Sequence, residues 1–238
     1  MKHEISIVIP VLNEEKNIIP LTKKIIKNVK KLKYEIIFVD DNSIDQSKEI
    51  FAKLNKKYNF FNPIIRRKKR DLTQSCFDGI HKAKYQNILI MDGDLQHNPK
   101  YINPMFSLFK DNQVDVVIGS RELLSGKNKG LSELRRLASI ILIFFFRIFR
   151  IETSDPMSGF FLFKKTLYFK NRKFMFGKGF KILADFLISS RKVLKTKDLK
   201  IVFNRRYNSK SKMSYKVLLT LVQFFLISLK KKLFKDKN

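Results

Sequence analysis

The sequence predicts an α/β fold, a mostly parallel sheet with helices on both faces. Short, unbroken runs of β-branched and apolar residues recur through its first half, and between them lie segments with apolar residues at helical spacing. Strands buried on both faces carry continuous apolar runs, and the intervening helices are the crossovers that parallel pairing requires. Three of these runs also lead directly into acidic or amide side chains, in a chain otherwise poor in acids. In open α/β sheets ligands bind outside the carboxyl ends of the strands, so those residues are where a site is expected.

The first strand is Ile5-Ser6-Ile7-Val8-Ile9, ended by Pro10. Residues 16–31 follow as a helix, with Ile18, Ile19, Leu21, Ile25, Ile26 and Val29 at helical spacing. Ile36-Ile37-Phe38-Val39 is the second strand, 46–58 a helix, and Ile64-Ile65 a short strand. A helix over 72–84 leads to the strand Ile88-Leu89-Ile90-Met91, and 114–118 forms another. The strand-end sequences are Pro10-Val11-Leu12-Asn13-Glu14, Asp40-Asp41-Asn42-Ser43-Ile44-Asp45 and Asp92-Gly93-Asp94-Leu95-Gln96-His97. Turn chemistry explains Asp and Asn at one such place; three together favour a function.

Composition narrows the partners. The 238 residues suit one large domain, or one domain with a short appendage, and 44% apolar residues suffice for a core. Lys and Arg number 50 against 21 Asp and Glu, a formal charge of +29. Such an excess suits an anionic partner (nucleic acid, a phospholipid surface or a phosphorylated substrate), unless it is mere lysine bias. A single cysteine, Cys76, excludes an internal disulfide framework and a multi-cysteine metal site. No export signal is visible. Apolar segments 137–146 and 217–229, each bordered by Arg or Lys, are too short to cross a hydrocarbon core about 30 Å thick. A cytoplasmic chain lying on a membrane surface is expected.

Asp92-Gly93-Asp94 sets two carboxylates two residues apart at the end of a buried strand, a pattern suited to Mg²⁺ and a diphosphate. Gly93 between them would permit close approach of the diphosphate. Neither a dinucleotide fingerprint nor a P-loop is present, and Gly126-Lys127-Asn128-Lys129-Gly130 suits a mobile loop. His3, His81 and His97 lack metal-ligand spacing, and His97 is expected at the surface.

These motifs resemble the family 2 glycosyltransferases, specifically the dolichyl- or polyprenyl-phosphate mannosyltransferase branch. The likeness rests on the three strand ends, Gly119-Ser120-Arg121, residues 135–139, Asp155-Pro156-Met157-Ser158-Gly159-Phe160, Gly179-Phe180-Lys181 and residues 203–212. It implies a GT-A domain over 1–212 with an apolar interface helix at about 131–150, then an amphipathic, Lys-rich membrane-associating helix over 213–238. By that likeness Pro10, Leu12, Glu14, Val39, Asp40 and Asp41 frame the base and ribose. Asp92, Gly93, Asp94 and Gln96 hold the diphosphate and Mg²⁺ or Mn²⁺, with Asp92, Asp94 and Arg121 catalytic. Arg121, Arg135, Ser139, Arg206 and Lys212 meet phosphate groups of donor and acceptor. The chain departs from the pattern at Leu12, often Tyr in the family, at Gly93 in place of Ala, at Ser209 in place of Gly, and at Asp185 where relatives tend to carry Glu.

A sugar acceptor that is already a phosphate anion needs no general base, only positioning and charge neutralisation. Arg121, Arg135, Arg136, Arg205, Arg206, Lys210 and Lys212 supply cations for that, and Arg can grip phosphate bidentately. The resemblance implies an inverting transfer, with GDP-mannose as the favoured donor and UDP-glucose as another. It also implies a monotopic enzyme at the cytoplasmic face of a membrane, with a separate membrane-protein partner. A same-fold enzyme acting on a hydroxyl would need a base, for which Asp155 and Asp185 are candidates; Asp155, before Pro156 and the Ser158-Gly159 turn, has a structural reading as well. A nucleic-acid-binding module is suggested only by net charge and by Arg66-Arg67-Lys68-Lys69-Arg70, which suits a solvated loop. The acidic strand ends would repel a nucleic-acid backbone, so no nucleic-acid partner is expected.

Overall fold

The computed structural model describes residues 3–121, 151–179 and 181–204, with isolated positions at 146, 147, 149, 223, 226 and 227. In chain order the elements are β1 (Glu4–Val11), α1 (Glu15–Asn28), β2 (Lys33–Asp40), α2 (Ser47–Lys57), β3 (Ile64–Ile65), α3 (Leu72–Lys82) and β4 (Asn87–Ile90). They continue with α4 (Ile102–Asp111), β5 (Val116–Arg121), β6 (Phe161–Lys164), α5 (Lys165–Asn171), α6 (Ile182–Ser189) and β7 (Thr196–Ile201). The strands form one sheet in the order β3-β2-β1-β4-β6-β5-β7. Pairing is parallel except at β6, which runs antiparallel to β4 and β5. The α/β expectation holds, and each first-half strand and helix appears within a few residues of its expected limits.

The period of two along β1 divides the core. Ile5, Ile7, Ile9 and Val11 face one layer, with Ile18, Leu21 and Ile25 of α1, Phe51 of α2 and Phe106 and Phe109 of α4. Val8 faces the other, with Ile37, Val39, Phe77 and Ile80 of α3, and Leu183 and Phe186 of α6. Fully burying such a side chain is worth about 1.5–3 kcal/mol, so a slip by one residue would forfeit both layers. Ser6 falls on the second face, where its hydroxyl donates to Glu35 Oε1 at 2.6 Å and accepts from the Tyr85 N–H at 3.0 Å.

No described helix is long and apolar enough to cross a membrane. Arg135, Arg136, Ser139, Arg205, Arg206, Lys210, Lys212, the 126–130 loop and nearly all of 131–150 and 213–238 lie outside the described residues.

Candidate active site

The strand order places β2, β1 and β4 side by side, so the three acidic strand ends converge on one edge of the sheet. Val11 of β1 pairs with Asp40 of β2, and the Asp41 N–H donates to the Val11 carbonyl at 2.8 Å. The following turns are laced together. Asn13, at φ 54°, donates its N–H to Ser43 Oγ at 2.8 Å, and its side-chain oxygen accepts from the Ile44 N–H at 3.0 Å. Glu14 is buried and accepts from Asn17 Nδ2 at 2.6 Å. Pro10, Leu12, Glu14, Val39, Asp40 and Asp41 are thus brought together. Val39 packs its side chain into the core, leaving its backbone at the sheet edge.

Asp40 is fully buried. Its Oδ2 accepts from the Ser43 N–H at 3.1 Å, while Oδ1 has no hydrogen-bond donor among the described residues. Burying such an acceptor is costly, and a ligand hydroxyl or N–H would satisfy it. Asp41 is held by Arg66, with which it forms a buried ion pair. Burial pushes the Asp41 carboxyl above the usual carboxylate range, and the neighbouring Arg66 charge opposes that shift. Arg66 also donates to Asp78 Oδ2 at 2.8 Å and to Ser75 Oγ at 3.1 Å. The basic run is therefore not uniformly solvated: Arg66 turns inward to the carboxylates, and only 67–70 are exposed.

Asp92 and Asp94 follow β4. Asp92 has 37% of its side chain exposed, whereas Asp94 is buried and its Oδ1 accepts from the Gln96 N–H at 3.2 Å. Leu95, between Asp94 and Gln96, adopts φ 65°, an uncommon conformation for a bulky residue. Gln96 donates its side-chain N–H to the Asn204 carbonyl at 2.9 Å, and its backbone carbonyl accepts the Asn204 N–H at 3.1 Å, tying the loop to the segment that follows β7. Two carboxylates and an amide form an oxygen donor set suited to a hard divalent cation. Among the described residues no group of three or more His, Cys, Asp or Glu side chains could hold an ion, so phosphate oxygens would complete the shell. The glycine between the aspartates has a different use from the one expected. A Cβ at Gly93 would lie 2.5 Å from Val11 Cγ1, so the close approach it permits is to β1.

His97 is not a surface histidine. It is 1% exposed, stacks on Phe160 with ring centroids 5.1 Å apart, and packs against Phe203. Burial pushes its imidazole down to about 4, so it is neutral near pH 7 and its Nδ1 accepts from the Asp92 N–H at 3.4 Å. On the other side, Gly159 touches Asp92: a Cβ there would fall 2.5 Å from Oδ2 and 2.6 Å from Oδ1.

Arg121, at the end of β5, meets Asp155 in a two-pronged pair, Nε to Oδ2 at 2.6 Å and Nη2 to Oδ1 at 2.7 Å. Its backbone N–H adds a third bond to Oδ2 at 3.2 Å. Burial disfavours the Arg121 charge, but Asp155 and, more weakly, Asp92 hold its pKa above the ordinary value. Asp185 is likewise engaged, accepting from the Phe176 N–H at 2.8 Å, the Gly177 N–H at 2.7 Å and Ser189 Oγ at 2.9 Å. Both candidate bases are therefore spent on internal bonds.

Two residues of the site were not expected from sequence. Lys181, at the start of α6, lies in the electrostatic field of Arg121, Asp155 and Asp92. Burial pushes its ammonium down to about 8, Arg121 adds to that, and the two aspartates oppose it. Its signal was its place in Gly179-Phe180-Lys181. Arg66 was hidden in a run of like charges.

The chain belongs to glycosyl transferase family 2, whose model matches residues 6–170. Among its relatives is the dolichol-phosphate mannosyltransferase of Pyrococcus furiosus, 33% identical over 219 residues, covering 90% of this chain and 60% of that one. The dolichol-phosphate mannosyltransferase of Saccharomyces cerevisiae is 33% identical over 233 residues, covering 94% and 86%. The chain thus spans less than two thirds of the archaeal relative and most of the yeast one. Glucosyl-3-phosphoglycerate synthase from Mycobacterium tuberculosis, solved with Mn²⁺, UDP-glucose and phosphoglyceric acid, superposes with a TM-score of 0.72. That match is 18% identical and covers 93% of this chain and 79% of the other, a likeness of fold.

Proposed function

We propose that this chain moves a sugar from a nucleoside diphosphate, GDP-mannose first among candidates, to the phosphate of a polyprenyl lipid. The observation that carries the reading is the fate of the two candidate bases. Asp155 has both oxygens on Arg121, and Asp185 serves backbone N–H groups and Ser189. A hydroxyl acceptor would need one of them to take a proton. A phosphate acceptor brings its own negative charge and needs cations, and Arg121 and Lys181, both in the electrostatic field of Asp92, would supply them. The names of the archaeal and fungal relatives support the same acceptor.

On this reading Asp40 and Asp41, steadied by Arg66, receive the nucleoside, and Asp92, Asp94 and Gln96 would hold Mg²⁺ or Mn²⁺. The ion, when bound, neutralises charge on the departing diphosphate. Arg121 and Lys181 face the phosphates, and Asp155 holds the Arg121 fork in one orientation. Neutral His97 buttresses Asp92 without competing for its charge. Arg135, Ser139, Arg206 and Lys212 are proposed at the acceptor phosphate, on the sequence likeness alone. Segments 137–146 and 217–229, with their flanking cations, suit attachment to the cytoplasmic face of a membrane, alone or with a membrane-protein partner. The test is a panel of radiolabelled nucleotide sugars incubated with polyprenyl phosphate and Mg²⁺ or Mn²⁺, followed by organic extraction. Label from one donor should enter the lipid phase with polyprenyl phosphate and not with the free alcohol. Equal labelling of the alcohol would overturn the reading.

A further inference from the structure

Residues 175–179, which precede Lys181, have no regular structure, and two glycines among them take left-handed backbone angles, Gly177 at φ 72° and Gly179 at φ 89°. Such a segment is placed by whatever grips it. From α6 the grip is Asp185, which accepts the Phe176 and Gly177 N–H groups. From the opposite side it is the start of α3, more than a hundred residues earlier. Asp71 caps that helix, its Oδ1 accepting from the Gln74 N–H at 3.0 Å, while its Oδ2 accepts from the Gly179 N–H at 2.9 Å. Buried Thr73 gives both its N–H (3.0 Å) and its hydroxyl (2.9 Å) to the Gly179 carbonyl, and the Gln74 side chain donates to the Gly177 carbonyl. Four bonds thus join residues 71–74 to 177–179.

The same Asp71 touches the nucleoside side of the site. Its carbonyl accepts from Arg66 Nη1 at 3.4 Å, and Arg66 holds Asp41. We infer that Asp71 is a positioning residue: its carboxylate, shared between the α3 N-terminus and Gly179, fastens residues 177–179 and so fixes where Lys181, two positions on, is held. Nothing in Asp71 reaches the reacting groups; it acts through the loop. The inference rests on the proposed function for the use to which Lys181 is put, but the fastening itself belongs to the free protein.

Asp71→Ser separates the two duties. Serine still caps a helix, but its shorter side chain cannot also reach Gly179. Thr73→Val removes a loop bond without touching the cap. In amide hydrogen exchange on the free protein, residues 175–181 should exchange about ten- to a hundredfold faster in either variant, the range expected for losing a bond to a charged or buried acceptor, while the core strands keep their protection. Transfer should fall about tenfold in Asp71→Ser, and in a Lys181→Met background the same change should cost nothing further, because Asp71 acts only through Lys181. Unchanged exchange in the loop, or losses that multiply in the double variant, would overturn the inference. If wild-type protein moves no sugar to polyprenyl phosphate, the proposed function fails, and the same cycle is read on GDP-mannose affinity. There, non-additivity supports the fastening and additivity contradicts it.

Discussion

Asparagine at position 155 separates a base from a brace. Arg121 is 12% exposed and Asp155 1%, and three hydrogen bonds of 2.6–3.2 Å join them. Removing one charge of a buried pair costs about 3–5 kcal/mol, because the other is left without compensation. Asparagine keeps one carbonyl oxygen to receive Arg121, so the lower end, about 3 kcal/mol, is expected. For a chain of this size each kcal/mol shifts the melting point by about 2–4 °C, which makes the expected fall about 6–12 °C. The assay is thermal unfolding beside transfer kinetics on the same preparations. Loss of stability should accompany any loss of activity, and Asp155→Glu, which keeps the charge, should recover part of both. A variant that melts within a degree or so of wild type yet loses about a thousandfold in rate, well within what a general base contributes, would refute the reasoning and restore the hydroxyl-acceptor chemistry.

Gly159→Ala should push the Asp92 carboxylate aside, since the new Cβ would lie 2.5–2.7 Å from its atoms. The Mn²⁺ concentration for half-maximal activity should rise about tenfold or more, the usual effect of disturbing a group that orients a ligand, with little change in melting point. The neutral, buried His97 gives a pH signature in the presence of chelator. Its folded pKa of about 4 lies below the unfolded value, so the unfolded chain binds the proton first as pH falls. Its effect on stability is absent above pH about 7 and grows to a penalty of about 3 kcal/mol below pH about 4. His97→Gln should flatten that part of the stability curve, and an unchanged slope would place the titration elsewhere. Arg66→Met leaves Asp41 buried without its cation and should weaken nucleotide binding together with stability. Binding at wild-type strength would detach Arg66 from the site.

The first half of the fold was legible because its signals are local. The alternation of Ile5, Ile7 and Ile9, the helical spacing from Ile18 to Ile25, and the acids that follow three strands each lie within a few residues of one another. Strand β6 was not legible: it enters the sheet antiparallel between β4 and β5, a placement set by partners far along the chain. The same distance hid the surroundings of individual site residues. Arg66 finds its carboxylates 25 and 12 positions away, so a run of cations gave no hint that one of them turns inward. His97 is enclosed by Phe160 and Phe203, which only the folded sheet brings to it. Gly93 suggested room for a ligand, when the space it leaves is taken by Val11. The resemblance supplied residue types in order, and the structure added which of them are already bonded to one another. That addition is the ground on which the proposed function treats Asp155 and Asp185 as braces and not as bases.

The central claim is that the Asp92–Asp94 strand end, loaded with a divalent cation, governs sugar transfer to a lipid phosphate. Its most direct measurement is the rate at which labelled mannose from GDP-mannose enters polyprenyl phosphate, with and without EDTA, for wild type and for Asp92→Ala/Asp94→Ala. Wild type with Mg²⁺ or Mn²⁺ should put label in the lipid phase, and transfer should drop to near background in EDTA or in the double variant, whose melting point stays close to wild type. Transfer at the wild-type rate in chelator, or in that variant, would contradict the claim.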